Sequence, residues 1–117
     1  KLVHPESLNE HAVRMVRYPN PIIRLADLYL MYAEAYNEYY GPDAEAYRYL
    51  NEVRKRAGLP DVETVWSDGT IVKNINKHQT QEGLREIIQA ERLIELSFEG
   101  HRYFDLCRWK RAGEFFV

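Results

Sequence analysis

Glu91, Glu95 and Glu99 recur every fourth residue, and Arg102, Asp105 and Arg108 follow them every third. Acids and bases at these spacings can do one of two things. A carboxylate pair one helical turn apart has roughly the reach to serve as acid and base in glycoside hydrolysis, and Glu95 and Glu99 would be that pair. The same groups can instead form a structural lattice. On a helix, at about 100° per residue, Leu84, Ile87, Ile88 and Phe98 gather on one face, and the three glutamates fall within it. Removing water from an unpaired carboxylate costs several kcal/mol, so acids set among large apolar residues need cationic partners. Arg54, Arg56 and Arg92 are available, and a guanidinium is a planar fork suited to bidentate pairing. The interleaved apolar residues favour an ion-pair lattice of Glu91, Glu95, Glu99, Arg102, Asp105 and Arg108. Glu95, Glu99 and His101 have the composition of a metal site without a recognised ligand spacing, so no metal or cofactor is expected.

The elements that position these residues read as helices. Thr80 caps a long central helix that Gly100 ends, and a short helix from Arg102 to Lys110 follows. Upstream, Asn20-Pro21 opens a helix running to about Tyr39, with Ile22, Leu25, Ala26, Tyr29, Leu30, Ala33 and Tyr36 apolar and Arg24, Asp27, Glu34 and Glu38 opposite. Gly41-Pro42 stops it. A second helix from Asp43 to Ala57 is closed by Gly58, and the short connection makes an antiparallel αα-hairpin. Residues 59–79 form a variable insertion, either a loop or a small β-hairpin around Asp68-Gly69. There Trp66, with Asn74 and Asn76 nearby, could stack on a sugar ring and hydrogen-bond its hydroxyls; the alternative is that Trp66 packs back on the helices. Residues 1–19 read as an extended lead-in with a short strand at Val13, Met15 and Val16, and with His4 and His11 on the surface. The chain is therefore expected to be one all-α domain over residues 1–117.

Composition narrows the function. The chain is 45% apolar and 29% charged with net charge −2, and its halves carry similar charge, which gives nucleic acid or an anionic membrane nothing to hold. Its one cysteine, Cys107, excludes an intrachain disulfide and is expected to be a small buried group. No apolar run is long enough to span a membrane.

The run from Glu91 to Trp109 resembles the C-terminal signature of the SusD/RagB family of nutrient-binding lipoproteins, approximately N-E-R-R-x-E-L-x-F-E-G-x-R-[FY]-[FW]-D-L-x-R-W. Glu91, Arg92, Glu95, Leu96, Phe98, Glu99, Gly100, Arg102, Tyr103, Phe104, Asp105, Leu106, Arg108 and Trp109 match it, while Ala90 and Leu93 depart from it. The stretches Arg24 to Ala35 and Leu50 to Gly58 also look like helices of that family. The resemblance implies tetratricopeptide-like hairpins and the C-terminal portion of a longer chain. It also implies a non-enzymatic, surface-exposed outer-membrane lipoprotein that captures an oligosaccharide or polysaccharide and passes it to a SusC-type TonB-dependent transporter. Contact with the membrane would come only through a lipid anchor outside this chain. A freestanding helical module that binds other proteins is the alternative, and a glycosidase using Glu95 and Glu99 is third.

Overall fold

The computed structural model describes residues 21–116, and among these it has six α-helices and no strand. The expected strand at Val13, Met15 and Val16, the surface histidines His4 and His11, and the Asn20 cap lie outside the described residues. The helices are α1 (Leu25–Tyr40), α2 (Ala44–Arg56), α3 (Val62–Ser67), α4 (Gln81–Glu95), α5 (His101–Arg108) and α6 (Ala112–Phe115). No described helix is long and apolar enough to cross a membrane.

α1 is the centre of the fold, packing on α2 along one side and on α4 along another. Ala26, Leu30 and Ala33 of α1 meet Ala46, Leu50 and Val53 of α2, and Leu84, Ile87 and Ile88 of α4 join the same cluster. Ala33 and Ala46 are fully buried, and residues this small let the two helix backbones approach closely. The helix begins later than Pro21. Arg24 is its N-cap, with extended backbone, and Ile22 is left outside the apolar face and 90% exposed.

Between α1 and α2 the Asp43 carboxylate accepts from the Ala44 N–H at 2.6 Å, capping the second helix. That helix ends in a Schellman motif: Leu59 N–H donates to the Arg54 carbonyl and Gly58 N–H to that of Lys55, with Gly58 at φ 74°.

Residues 59–79 form a helix and turns in place of the β-hairpin alternative. Asn51 on α2 accepts from the Val62 N–H and donates to Glu63, which fixes the first turn of α3. Asp68 then accepts from the N–H and hydroxyl of Thr70, while the Ile71 and Val72 amides turn back to the Asp68 carbonyl. Those amides are spent locally and cannot build a strand ladder. A 3₁₀ turn at Lys77–Gln79 leads to Thr80, whose hydroxyl accepts from the Gly83 N–H at 3.1 Å and caps α4. Gly83 is required by contact. A Cβ there would sit 2.0 Å from the Lys77 carbonyl oxygen.

α4 is shorter than the sequence pattern implies. It ends at Glu95, and Phe98, at φ 66°, takes the left-handed conformation expected of Gly100 and is 98% exposed in place of facing the core. The Ser97 hydroxyl donates to the Leu93 carbonyl at 2.6 Å, a local bond that competes with continuing the helix. Gly100 is left-handed as well and becomes the N-cap of α5. Cys107 is exposed, because α5 turns Asp105 and Leu106 inward and the next residue lies about 100° away.

Candidate functional site

α1 carries a second stripe besides its apolar one. Arg24, Asp27, Met31, Glu34 and Glu38 are spaced three and four apart, so they share one side of the helix. This stripe faces the acids and bases of α4 and α5 and forms a seam of ion pairs.

At its centre Arg92 of α4, 3% exposed, donates from Nη1 to Asp27 at 3.0 Å and from Nε and Nη2 to Asp105 at 3.0 and 3.2 Å. Asp105 also accepts from Arg108 Nε at 2.8 Å, and the two terminal nitrogens of Arg108 grip Glu34 at 2.7 and 2.6 Å. The Trp109 indole N–H adds a bond of 2.6 Å to Glu34. Asp27, Arg92, Asp105, Arg108 and Glu34 thus form one chain of alternating charge across three helices. Burial works against the charge of Arg108, but Glu34 and Asp105 outweigh it and hold that guanidinium above its ordinary pKa.

At one end of the seam Arg24 reaches Glu95 at 2.8 Å and Glu99 at 2.9 and 2.6 Å, and it also donates to the Glu95 backbone carbonyl. Glu95 accepts further from Arg56 at 2.6 Å. Glu91 pairs with Arg54, which also donates to the Pro60 carbonyl. The bond from Arg24 holds the Glu99 carboxyl below the usual glutamate range, and both glutamates raise Arg24. At the other end Arg85 forms a bidentate pair with Glu38 at 2.5 and 2.6 Å.

The structure therefore places Glu91, Glu95, Glu99, Asp105 and Arg108 in ion pairs. Arg102 stands apart: its guanidinium lies 4.9 Å above the Phe115 ring, and it makes no ion pair among the described residues. Periodicity on α4 and α5 does not reveal the partners Arg24, Asp27 and Glu34, which the sequence places on the first helix opposite its apolar face. Their three-and-four spacing was the available signal. Chemically, Glu95 and Glu99 converge on one guanidinium, and a carboxyl held below its ordinary range is the opposite of a general acid poised to donate.

The proposed sugar contacts sit elsewhere. Trp66, on α3, is half-buried against the core cluster, with the Lys77 ammonium 5.4 Å above its ring. Its carbonyl accepts from the Asn76 N–H at 2.7 Å, which brings Asn76 beside it, and both Asn74 and Asn76 are exposed. Asn76 is held at φ 62°. Asparagine tolerates that region better than most residues. Among the described residues no three His, Cys, Asp or Glu side chains are grouped to hold a metal ion.

The sequence profile described as the SusD family matches residues 1–116. Three proteins of Formosa agariphila are similar. SusD-like protein P25 is 46% identical over 88 residues, which cover 75% of this chain and 15% of that protein. SusD-like protein P2 is 39% identical over 94 residues, and SusD-like protein P38 is 38% identical over 93; each match covers 80% of this chain and 17% of the relative. The chain thus spans about a sixth of the length of these curated relatives. No solved structure is a significant match.

Proposed function

This chain belongs to the SusD family, and from that premise we propose that it is part of a non-catalytic protein that captures glycans at the outer membrane and delivers them to a SusC-type TonB-dependent transporter. The observation that carries this reading is the state of Glu95 and Glu99. The pair that hydrolysis would need is occupied by Arg24 and Arg56, which supports reading the signature as scaffold and the protein's work as binding. Within the segment, Trp66, Asn74 and Asn76 are the proposed glycan contacts, the part of Trp66 that the core leaves open together with two exposed amides. The αα-hairpin of α1 and α2 offers surface for the transporter, and the lipid anchor would lie outside these residues.

The test is to incubate the complete polypeptide with a panel of soluble polysaccharides, following both binding and reducing ends, and to isolate it from outer membranes. Retention of at least one polysaccharide without release of reducing ends, together with co-isolation of a TonB-dependent transporter, is expected. Release of reducing ends that Glu95→Gln abolishes would replace this reading with the glycosidase. On the capture reading Glu95→Gln changes no activity and lowers the melting temperature.

A further inference from the structure

The stretch from Phe98 to Phe116 presents apolar surface that neither the seam nor the apolar cluster uses. Phe98, Tyr103, Phe104, Phe115 and Phe116 are each more than half exposed. Asp105 and Leu106 turn into the fold, and Tyr103 and Phe104, two residues before each, lie about 200° away on the outer side of α5. The Tyr103 ring lies 5.5 Å from that of Phe104 and 5.8 Å from that of Phe116, centroid to centroid. Single apolar residues on a surface need no explanation, but a joined set of rings marks a contact. Nearby is an open groove of about 230 Å³, lined by Arg92, Leu93, Leu96, Phe98, Arg102 and Asp105 among others. Arg102 links the groove to the rings, since its guanidinium lies over Phe115.

Phe98 carries two costs that these residues do not offset. Its backbone is left-handed, where a side chain is strained, and its ring is almost wholly in water. Glycine or asparagine would hold the same turn with less strain. A phenylalanine kept there is explained by an apolar partner that takes up the ring. The groove favours the same kind of partner. All three nitrogens of Arg92 are engaged by Asp27 and Asp105, and both Asp105 oxygens accept bonds, so neither residue brings a free charge to a ligand. Surfaces that bind and release are about as polar as ordinary surface, whereas permanent contacts resemble a core cut in half. The match takes in 15% of one relative and 17% of the other two, so a polypeptide of their length has ample chain to supply a permanent partner.

We propose that this face is an interface within the polypeptide: an apolar element from outside residues 1–117 docks across Tyr103 and Phe104, and Phe98 is the anchor inserted into it. The proposal is independent of glycan capture and concerns how this segment is joined to the rest of the protein.

The complete polypeptide, with p-benzoylphenylalanine in place of Phe98, is irradiated and its cross-links are mapped. A cross-link within one polypeptide chain, to a peptide outside residues 1–117 and in a yield unchanged on dilution, is expected. A cross-link to a second copy or to a co-isolated transporter, one confined to residues 1–117, or none at all overturns the proposal. Hydroxyl-radical oxidation of the unsubstituted polypeptide keeps the test independent of how a variant folds. Phe98, Tyr103 and Phe104 are expected to oxidise about tenfold more slowly in the native protein than in urea, and equal rates overturn the interface. The sign of the effect of Phe98→Gly then reads the anchor. Relief of backbone strain alone would raise the melting temperature, whereas loss of a buried ring is expected to lower it by about 5 °C. An unchanged or higher melting temperature overturns the anchor.

Discussion

α1 uses two of its sides in opposite ways. Towards α2 it presents Ala26, Leu30 and Ala33, a dry contact in which each side chain contributes by the area it removes from water. Towards the charged residues of α4 and α5 it presents Asp27 and Glu34, each at least nine-tenths buried and each held by an arginine. The first contact is non-directional and tolerates small losses. The second consists of groups that are costly alone and acceptable only together, so its cost is concentrated in whichever partner is missing. One helix thus joins a forgiving interface to one that accepts a single arrangement, and the second fixes how α4 and α5 are set against α1.

The largest expected effect tests that contrast directly. Arg92→Met leaves Asp27 and Asp105, both about 5% exposed, without their shared guanidinium. Equilibrium urea unfolding is expected to show a loss of about 3–5 kcal/mol. Replacing all three groups, as Asp27→Leu/Arg92→Met/Asp105→Leu, is expected to recover most of that loss, since no buried charge is then orphaned. A triple variant no more stable than Arg92→Met would break the comparison, because the seam would then be contributing by packing as the apolar side does.

On the apolar side, Leu50→Ala removes a fully buried side chain that faces α1. A loss of about 2–5 kcal/mol is expected, set by how far the cavity collapses. No second substitution of a polar partner should rescue it, and a rescue by one would count against the contrast. A smaller effect of opposite sign is expected where α5 ends. Arg111 N–H donates to the Leu106 carbonyl and Lys110 N–H to that of Cys107, a Schellman motif with Lys110 at φ 58° where glycine is the unstrained residue. Lys110→Gly is expected to stabilise by about 1 kcal/mol and to hold Asp105 and Arg108 more firmly on the seam. Unfolding at unchanged or lower urea concentration would show that the seam, and not the cap, sets the end of α5.

How much of this was legible in the sequence follows the same divide. The apolar positions of α1, α2 and α4 repeat with the helical period, and the glycines at 41, 58 and 100 mark element boundaries, so the all-α reading and most helix limits were available from local pattern. Glu91, Glu95, Asp105 and Arg108 announced themselves by being charged among apolar neighbours. Their partners did not, because Arg24 lies 71 and 75 residues from Glu95 and Glu99, and Asp27 lies 65 from Arg92. Periodicity reports which side of a helix a residue is on and carries no information about what packs there. Phe98 failed for a different reason: two consecutive turns at residues 96–100 end α4 before Gly100, and nothing in a phenylalanine predicts a left-handed backbone. The connection at 59–79 stays open between loop and hairpin in the sequence because Asp68-Gly69 is a turn signal in either setting, and the bonds from Asn51 that fix α3 come from another helix.

The smallest expected effect is the one that separates the two sides by their response to acid. The Arg24 bond holds Glu99 below the ordinary glutamate value of 4.5, so the folded state binds this proton less readily than the unfolded chain does. A group shifted in that direction contributes stability in full above its unfolded value and loses it as pH falls through the lower folded value. Arg24 stays charged throughout, so only the carboxyl titrates in this range. Glu99 is partly open to solvent, at 35% exposure of its side chain, and screening limits such pairs to about 0–1 kcal/mol. The melting temperature of the unsubstituted protein should therefore exceed that of Glu99→Gln slightly at about pH 6, and the gap should close as pH falls below 4.5 and through the lower folded value. The gap between the unsubstituted protein and Leu50→Ala should stay constant over the same range, because no proton is bound or released at that site. A Glu99→Gln gap that persists undiminished in acid would mean that the carboxylate charge is not what joins the end of α4 to α1, and the seam would then have to be held at that end by Glu95 and its backbone carbonyl alone.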